Sequence, residues 1–294
     1  MKKATTIDEQ IELYKNRNCE LDIDEKEIKQ ILMDVGYFRL GFYSFPFEET
    51  YPKKEYRTHI YKKGTKFSDV VLLYDFDFDL RITLLKYLNY IEINFRTKLI
   101  YLVSNYFKDT TNTWFVSPKV MSSEYIKNFD KKMYDQIKEK SRSIKQHHEK
   151  YINDKYAPAW KTFEFATFGN LVVTYESLLD KNIKTLIANE YGIKNENVML
   201  SYIRAVKDIR NVVAHNGVLF DYKLERPLKN SPLIIISNEN KNKLYSAILV
   251  MKFLMASISE SRSKNMEKDI DFVFNTLNGN PKLKSIITDS SGYL

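Results

Sequence analysis

Apolar positions in the first half of the chain recur every three or four residues, which is the spacing of one face of an α-helix. The longest such pattern lies between Gly64 and Pro118, a stretch that contains no glycine or proline. Its apolar positions are Phe76, Leu80, Leu84, Leu88, Ile91, Phe95, Leu99 and Leu102. The pattern predicts one long helix here, or two helices in succession.

Further helices are predicted over residues 124–156, 160–186, 196–215 and 238–260. Ser122 is a candidate N-cap for the first of them, a surface helix with Lys and Glu between its apolar residues. The second is expected to be interrupted near Gly169. The third is expected to end at Asn216 and Gly217, since both residues are typical of left-handed helix ends.

Signals for β-strands are weak. Only residues 232–237, Pro-Leu-Ile-Ile-Ile-Ser, are typical of a strand, and the aromatic run over residues 37–47 lacks clean alternation. Residues 48–66, which include five lysines, are predicted to form an exposed loop. We therefore predict an all-α fold, in which an N-terminal helical extension (residues 1–47) and a helical bundle (residues 67–280) form one continuous unit.

Composition narrows the class of protein. The 294 residues are 44% hydrophobic, enough for a large core, and the net charge of +8 favours polyanionic partners. The single cysteine, Cys19, excludes an internal disulfide framework and favours a reducing compartment. No signal peptide is expected at the start, and no apolar run approaches the roughly 20 residues that a bilayer requires. A soluble, cytoplasmic protein without a membrane partner is expected.

The segment 197–216 carries two different stripes when it is placed on a helix at 100° per residue. The apolar stripe consists of Met199, Tyr202, Val206, Ile209 and Val213, and the opposite stripe of Arg204, Asp208, Asn211 and His215. A helix that only covers a core is expected to carry Lys and Glu on its outer side. The residue types found here instead form hydrogen bonds or transfer protons, so this segment is the candidate site.

The spacing of Arg210 and His215 raises a geometric question. Asn211 and His215 are four residues apart and share a face, whereas Arg210 and His215 are five apart and diverge by about 140° on an ideal helix. The long Arg210 side chain could reach round, or a second copy of the helix could complete the site across a two-fold axis. We therefore expect a homodimer.

These residues resemble a known family. Residues 210–215, Arg-Asn-Val-Val-Ala-His, resemble the R-N-x-x-A-H form of the motif of HEPN-domain ribonucleases. Nearly the whole chain resembles the Abi-like abortive-infection proteins of bacteria, through residues 37–47, residues 74–96, residues 158–175 and the motif, in that order. The sequence departs from the family after the histidine: a basic residue and L-W-N-R are frequent there, whereas this chain continues Asn-Gly-Val-Leu-Phe-Asp.

The resemblance implies a metal-independent and cofactor-independent endoribonuclease, a toxin of antiphage abortive infection. The ribose 2′-OH would attack the adjacent phosphate and leave a 2′,3′-cyclic phosphate and a 5′-OH. His215 would transfer a proton, Arg210 would stabilise the phosphate, and Asn211 would orient one of them. Arg204 and Lys207 are candidate RNA-binding residues. Control by a bound non-coding RNA or by an antitoxin is implied, because unrestrained RNA cleavage would kill the cell.

Structural alternatives exist for the same residues. His215 could cap the last carbonyls of its helix, and Arg210 could pair with Asp208 or Glu225. A second group, Arg81, Glu92 and Arg96, is interpreted as a buried structural ion-pair network outside the site.

Other features leave the choice of function open. Adjacent His147 and His148 diverge by about 100° on a helix and lack ligand spacing, so no metal site is expected. Most aromatic rings are expected in the core, and only exposed rings near Arg204 or Lys207 would suggest base stacking. A non-catalytic RNA-binding module and a helical protein-interaction domain are the alternative functions.

Overall fold

The fold is all-α, as predicted. The structure, a computed structural model, describes residues 3–53 and 55–293. Its helices are α1 (Ile7–Asn16), α2 (Glu25–Asp34), α3 (Tyr37–Ser44), α4 (Phe67–Tyr106), α5 (Ser123–Phe129), α6 (Asp135–Lys140), α7 (Arg142–Lys150), α8 (Ala159–Thr162), α9 (Phe168–Ser177), α10 (Lys181–Asn189), α11 (Glu196–Ala214), α12 (Leu244–Ile258), α13 (Glu260–Asn275) and α14 (Pro281–Ser291). Two short strands, β1 (Cys19–Glu20) and β2 (Thr65–Lys66), pair in parallel, with Cys19 opposite Thr65.

Helix α4 lies at the centre of the molecule. Its 40 residues form one continuous helix rather than two, about 60 Å long at 1.5 Å per residue. Helices α3 and α8 to α13 all contact it. Leu80, Leu88 and Phe95 are among its fully buried residues, and so are the charged side chain of Asp77 and most of Arg81. Because neighbours surround it, α4 is the scaffold from which the other helices take their positions.

The N-terminal helices pack on one end of α4 through aromatic side chains. The Tyr14 ring of α1 lies edge-on to Phe67, with ring centres 5.1 Å apart, and stacks on Tyr61. Tyr43 of α3 is fully buried and donates a hydrogen bond to Asp77 of α4. Residues 37–47, which lack strand alternation, thus form α3 and a short 3₁₀ turn.

The predicted surface helix over residues 124–156 is wrong as a single element. Ser122 does cap it, accepting a hydrogen bond from the Tyr125 N–H at 3.4 Å. The chain then passes through α5, a π-helical turn and α6, and it breaks at Ser141, whose side chain caps α7. A serine between two helical segments favours this break because its hydroxyl accepts from the Ile144 N–H.

The predicted interruption near Gly169 is confirmed. Helix α9 begins there with Thr167 as its N-cap, after a 3₁₀ turn that follows α8. A second break, between α9 and α10, is not visible in the apolar spacing. Asp180 produces it by accepting a hydrogen bond from the Asn182 N–H at 2.7 Å, so that a new helix begins.

The strand predicted over residues 232–237 is wrong. These residues form a loop with one isolated bridge between Ser231 and Ile234, and Ile235 is 92% exposed. Among the residues that the structure describes, no neighbouring strand provides hydrogen bonds, so the apolar run does not form a ladder. Residues 48–53 and 55–64 form a loop, as predicted, but Thr65 and Lys66 form β2. Glu48 at the start of the loop is buried and binds Arg57 and His59.

The apolar helix predicted over residues 238–260 is α12, which begins six residues later, at Leu244. It packs against α4, α11 and α13. Among the described residues, no helix is both long and apolar enough to span a membrane.

Candidate active site

Helix α11 ends at the predicted motif. Its regular hydrogen bonding extends to Ala214, and His215 is the C-cap, with φ −102° and ψ 18°. Asn216 follows in the left-handed conformation, with φ 55°. The predicted helix end at Asn216 and Gly217 is therefore confirmed.

Backbone N–H groups satisfy the carbonyls of Asn211, Val212 and Val213 at the end of α11. The Gly217 N–H donates to Val212 at 2.7 Å and the Asn216 N–H to Val213 at 3.3 Å, which is the Schellman arrangement. The His215 N–H donates to the Asn211 carbonyl at 3.0 Å. Gly217 is required for this closure, because a Cβ there would lie 2.9 Å from the Val212 side chain.

The apolar stripe of α11 is buried, as predicted: Met199, Tyr202, Val206, Ile209 and Val213 all lie in the core. The opposite stripe is not uniform. Asp208 was expected with the outer residues but is buried, and burial raises the pKa of its carboxyl. Lys207 lies 2.7 Å from that carboxyl, which compensates part of the cost.

Asn211 and His215 are exposed at the end of α11. Within residues 3–53 and 55–293, neither side chain forms a hydrogen bond or an ion pair. The alternative that the His215 imidazole caps helix carbonyls is therefore not what the structure shows, since backbone N–H groups already occupy them. These two side chains are available to a ligand.

Arg210 projects from α11 toward α4. Its Nε lies 3.2 Å from Oε2 of Glu92, and its side chain remains 28% exposed. The same carboxylate accepts a hydrogen bond from Nη2 of Arg96 at 3.0 Å, and that Nη2 also donates to the Ala166 carbonyl. We call Glu92, Arg96 and Arg210 the Glu92 cluster.

The Glu92 cluster corrects the sequence interpretation of the partner of Arg210. Arg210 pairs with neither Asp208 nor Glu225. Glu92 and Arg96 form a largely buried ion pair, as the sequence interpretation expected, and Glu92 also binds the motif arginine. The I-E-x-x-x-R segment of the sequence was the only signal for this role, and it does not specify the partner, which lies 118 positions further on.

A second polar cluster joins α4 to the turn after the motif. Asp77 is fully buried, and its Oδ1 accepts hydrogen bonds from the N–H groups of Leu219 at 2.9 Å and Phe220 at 2.6 Å. Its Oδ2 accepts from Tyr43 at 2.8 Å and lies 3.3 Å from Nε of Arg81. We call Asp77 and Arg81 with these partners the Asp77 cluster.

Arg81 connects this cluster to the motif itself. Its Nη1 donates to Oδ1 of Asn216 at 3.1 Å, directly after His215. Burial raises the pKa of the Asp77 carboxyl, although Tyr43, the two backbone N–H groups and Arg81 act in the opposite direction. Arg81, placed outside the site by the sequence interpretation, therefore anchors the turn on which the site depends.

The predicted RNA-binding residues Arg204 and Lys207 lie on the same helix but are already paired. Arg204 binds Glu176 of α9, and Lys207 binds Asp208. Both line a groove of about 300 Å³ together with Arg226 and Lys229. No aromatic ring is among the described residues that line this groove.

The histidine pair on α7 is engaged with protein groups. Nε2 of His147 lies 3.2 Å from Asp154, and Nε2 of His148 lies 2.9 Å from the Tyr134 hydroxyl. Among the described residues there is no group of three potential His, Cys, Asp or Glu ligands.

The structure defines an all-helical protein in which the central helix, α4, holds the polar C-terminal end of α11 in place. Residues 30–221 match the family described as Abi-like protein. The match covers more than half of the chain, so the chain belongs to the Abi-like protein family. Membership points to abortive-infection defence. No curated protein and no solved structure matches the chain.

Proposed function

We propose that this protein is a metal-independent endoribonuclease of the HEPN type that acts as a toxin in abortive infection. The observation that carries the proposal is the end of α11. There, His215 and Asn211 are exposed and have no side-chain partner in the described part of the chain, beside an arginine that Glu92 of α4 binds.

The availability of His215 has a structural cause. Because backbone N–H groups close the helix end, the imidazole is not needed for stability. A histidine exchanges protons near neutral pH, which suits it to general acid–base chemistry. Asn211, one turn earlier on the same face, is placed to orient the imidazole or a phosphate oxygen.

Arg210 supplies the cation. Its Nε faces Glu92, and a partly exposed guanidinium has further N–H donors for two phosphate oxygens. Arg210 and His215 are five residues apart, which separates their backbones by about 7.5 Å along the helix. Because the two side chains diverge by about 140° on an ideal helix, a phosphodiester contacts both only if the long Arg210 side chain reaches round or a second copy of the motif completes the site.

The proposed reaction is an internal transfer at phosphorus. The 2′-oxygen forms a bond to the adjacent phosphorus as its proton leaves, and the bond from phosphorus to the 5′-oxygen breaks as that oxygen gains a proton. His215 transfers the proton at one of these oxygens, and Arg210 stabilises the negative charge on the phosphate. The products are a 2′,3′-cyclic phosphate and a 5′-OH.

The proposal includes a homodimer that brings two motifs together. Exposed apolar side chains, Phe78 and Ile82, flank Arg81, which binds the turn after His215. A two-fold interface there would cover this apolar surface and supply a second imidazole for the other oxygen. A chain that cleaves RNA while monomeric at micromolar concentration would exclude the dimer.

Control is a necessary part of the proposal, because a toxin must be inactive until infection. The net charge of +8 favours a polyanionic regulator, such as a structured non-coding RNA that doubles as partner. A protein antitoxin is the other form of control. Sequencing the nucleic acid that copurifies with the protein distinguishes them.

The test of the function is His215→Ala. We expect RNA cleavage and toxicity to fall by about 10²–10⁴-fold, whereas RNA affinity and the unfolding midpoint stay close to wild type, because the side chain makes no contact that folding requires. Cleavage should continue in excess EDTA and leave 2′,3′-cyclic ends. Full activity in His215→Ala, or loss of activity in EDTA, would show that the proposed mechanism is wrong.

A further inference from the structure

A second groove begins at Arg96 of the Glu92 cluster. It has a volume of about 450 Å³ and runs along α4 toward α8. We call it the Arg96 groove and define it by Arg96, Tyr101, Lys108, Asn112, Trp160 and Glu164. Arg96 connects this groove to the candidate site, because it binds the same carboxylate, that of Glu92, as Arg210 does.

Two aromatic side chains in the Arg96 groove are exposed. Trp160 is 52% exposed and Tyr101 is 65% exposed, and neither ring packs against another aromatic ring among the described residues. Large rings normally contribute to a core, and this chain buries most of its other aromatic residues. The two rings therefore leave flat apolar faces open inside a groove.

The polar groups of the Arg96 groove suit a nucleotide. Lys108 is exposed and has no ion-pair partner among the described residues, so its ammonium group is available to a phosphate. The side chains of Asn112 and Glu164 offer donors and acceptors to the edge of a base. Nε of Arg96 is a buried N–H without a hydrogen-bond acceptor within the described ranges.

We propose that the Arg96 groove binds an unpaired segment of RNA, with bases stacked on Trp160 and Tyr101 and a phosphate on Lys108. Exposed aromatic faces combined with cations are how proteins hold single-stranded nucleic acid. The groove thereby deepens the proposed function, on which it rests, by naming the substrate of the same site as single-stranded RNA. The bound strand continues from the groove past Glu92 to Arg210.

The other basic groove serves this purpose less well. Arg204 and Lys207 are paired with Glu176 and Asp208, and no aromatic ring lines that groove among the described residues. A strand there would have to displace two carboxylates and would find no stacking surface. From the sequence, only exposed rings near Arg204 or Lys207 would count as evidence of base stacking. The structure offers such rings in the Arg96 groove instead.

The chain contains a built-in probe for this proposal. Of its two tryptophans, Trp114 is fully buried and Trp160 lines the groove, so only Trp160 can stack on a base. The experiment titrates the His215→Ala protein, which binds without cleaving, with a single-stranded RNA of about 12 nucleotides and follows tryptophan fluorescence. We expect quenching by the single strand and little by an RNA duplex of equal length, whose bases are already paired.

Substitutions test the stacking directly. In the same background, Trp160→Ala and Tyr101→Ala should each weaken Kd for the single strand by roughly tenfold to hundredfold, as measured by fluorescence anisotropy of labelled RNA. Trp160→Phe should retain most of the affinity and lose the quenching. Phe272→Ala, which removes an exposed ring on α13, is the matched control for the two aromatic substitutions. Lys268→Ala, which removes an exposed lysine, is the matched control for Lys108→Ala. Both controls should leave Kd unchanged.

The outcomes separate this proposal from the proposed function. Unchanged Kd in Trp160→Ala, equal quenching by a duplex, or no quenching by RNA at micromolar concentration would overturn the Arg96 groove as an RNA site. The last result would point to a different ligand, such as a peptide. If RNA quenches Trp160 but the protein with His215 intact does not cleave, the groove stands and the ribonuclease proposal fails. If Trp160→Ala with His215 intact cleaves with unchanged kcat/KM, the ribonuclease proposal stands and the groove proposal fails.

Discussion

Two charged clusters on the same helix reach the end of α11 in different ways. The Asp77 cluster is fully buried and binds mostly backbone, through the N–H groups of residues 219 and 220. The Glu92 cluster lies about four turns further along α4, stays partly exposed, and binds a side chain, Arg210. Both contain a carboxylate and an arginine four residues later.

The two clusters show how an ion pair that fixes the chain differs from one that holds a side chain of the candidate site. Sequence spacing cannot do so, because both clusters have the same i, i+4 pattern. What differs is the group that each carboxylate holds: Asp77 holds the path of the chain, and Glu92 holds a cation that still reaches solvent. Breaking the first should affect folding, and breaking the second should affect chemistry.

The largest expected effect comes from Asp77→Ala. The substitution leaves Arg81 buried without its carboxylate and removes the acceptor of two backbone N–H groups, so we expect a loss of about 3–5 kcal/mol in the free energy of unfolding. Urea denaturation measures it. Asp79→Ala, at an exposed position on the same helix, should change stability by less than about 0.5 kcal/mol. Equal effects of the two would mean that the Asp77 cluster does not anchor the turn.

Arg210→Ala should separate chemistry from folding. Glu92 keeps Arg96 as a partner, so the unfolding free energy should fall by no more than about 1 kcal/mol. Cleavage should fall by about 10²–10³-fold, and RNA affinity should weaken with a shallower salt dependence, since a phosphate contact is lost. Cleavage rates and Kd at two salt concentrations check this. If Arg210→Ala loses stability but not cleavage, Arg210 has a structural role, like Arg81, and no role in the reaction.

Glu92→Gln should have an intermediate effect. The amide keeps the size of the side chain but not its charge, so Arg210 loses its fixed position while remaining present. We expect cleavage to fall by roughly tenfold, mainly in kcat, with a stability cost of about 1–2 kcal/mol. The double variant Glu92→Gln, Arg210→Ala should be no less active than Arg210→Ala alone. Additive losses would mean that Glu92 acts independently of Arg210.

The smallest effect is expected at the paired cations of α11. Arg204→Ala removes a partly exposed ion pair with Glu176 and should cost less than about 1 kcal/mol of stability. RNA affinity should change by less than about threefold, because Arg204 is already neutralised. Glu176→Gln is the matched test, since it releases Arg204. A tenfold gain in RNA affinity in Glu176→Gln would show that Arg204 binds RNA once its carboxylate partner is removed.

Much of the fold could be predicted from periodicity. Helices α4 and α11 were predictable because long apolar repeats admit few other structures. The helix end at Asn216 and Gly217 was predictable because Asn and Gly are typical of the left-handed conformation that ends a helix. The break at Ser141 and the loop over residues 232–237 were not, because each depends on a local cap or an absent neighbour. Apolar spacing does not report either.

The candidate site was predicted only in part. Arg210, Asn211 and His215 were identified by the motif, and the structure leaves Asn211 and His215 exposed. The partner of Arg210 was not predicted, because pairing between α4 and α11 is a long-range consequence of helix packing. The Arg96 groove was missed for the same reason, since Trp160 and Tyr101 are far apart in sequence and become neighbours only in the fold.

The hydrogen bonds from residues 219 and 220 to Asp77 affect which substitutions this sequence can tolerate during evolution. The carboxylate recognises two backbone N–H groups, which every amino acid except proline provides. Substitutions that follow the motif can therefore accumulate without loss of the anchor, provided that they stay apolar enough to be buried and Gly217 is kept. The sequence Asn-Gly-Val-Leu-Phe-Asp after His215 is therefore one of many that this carboxylate could hold in place.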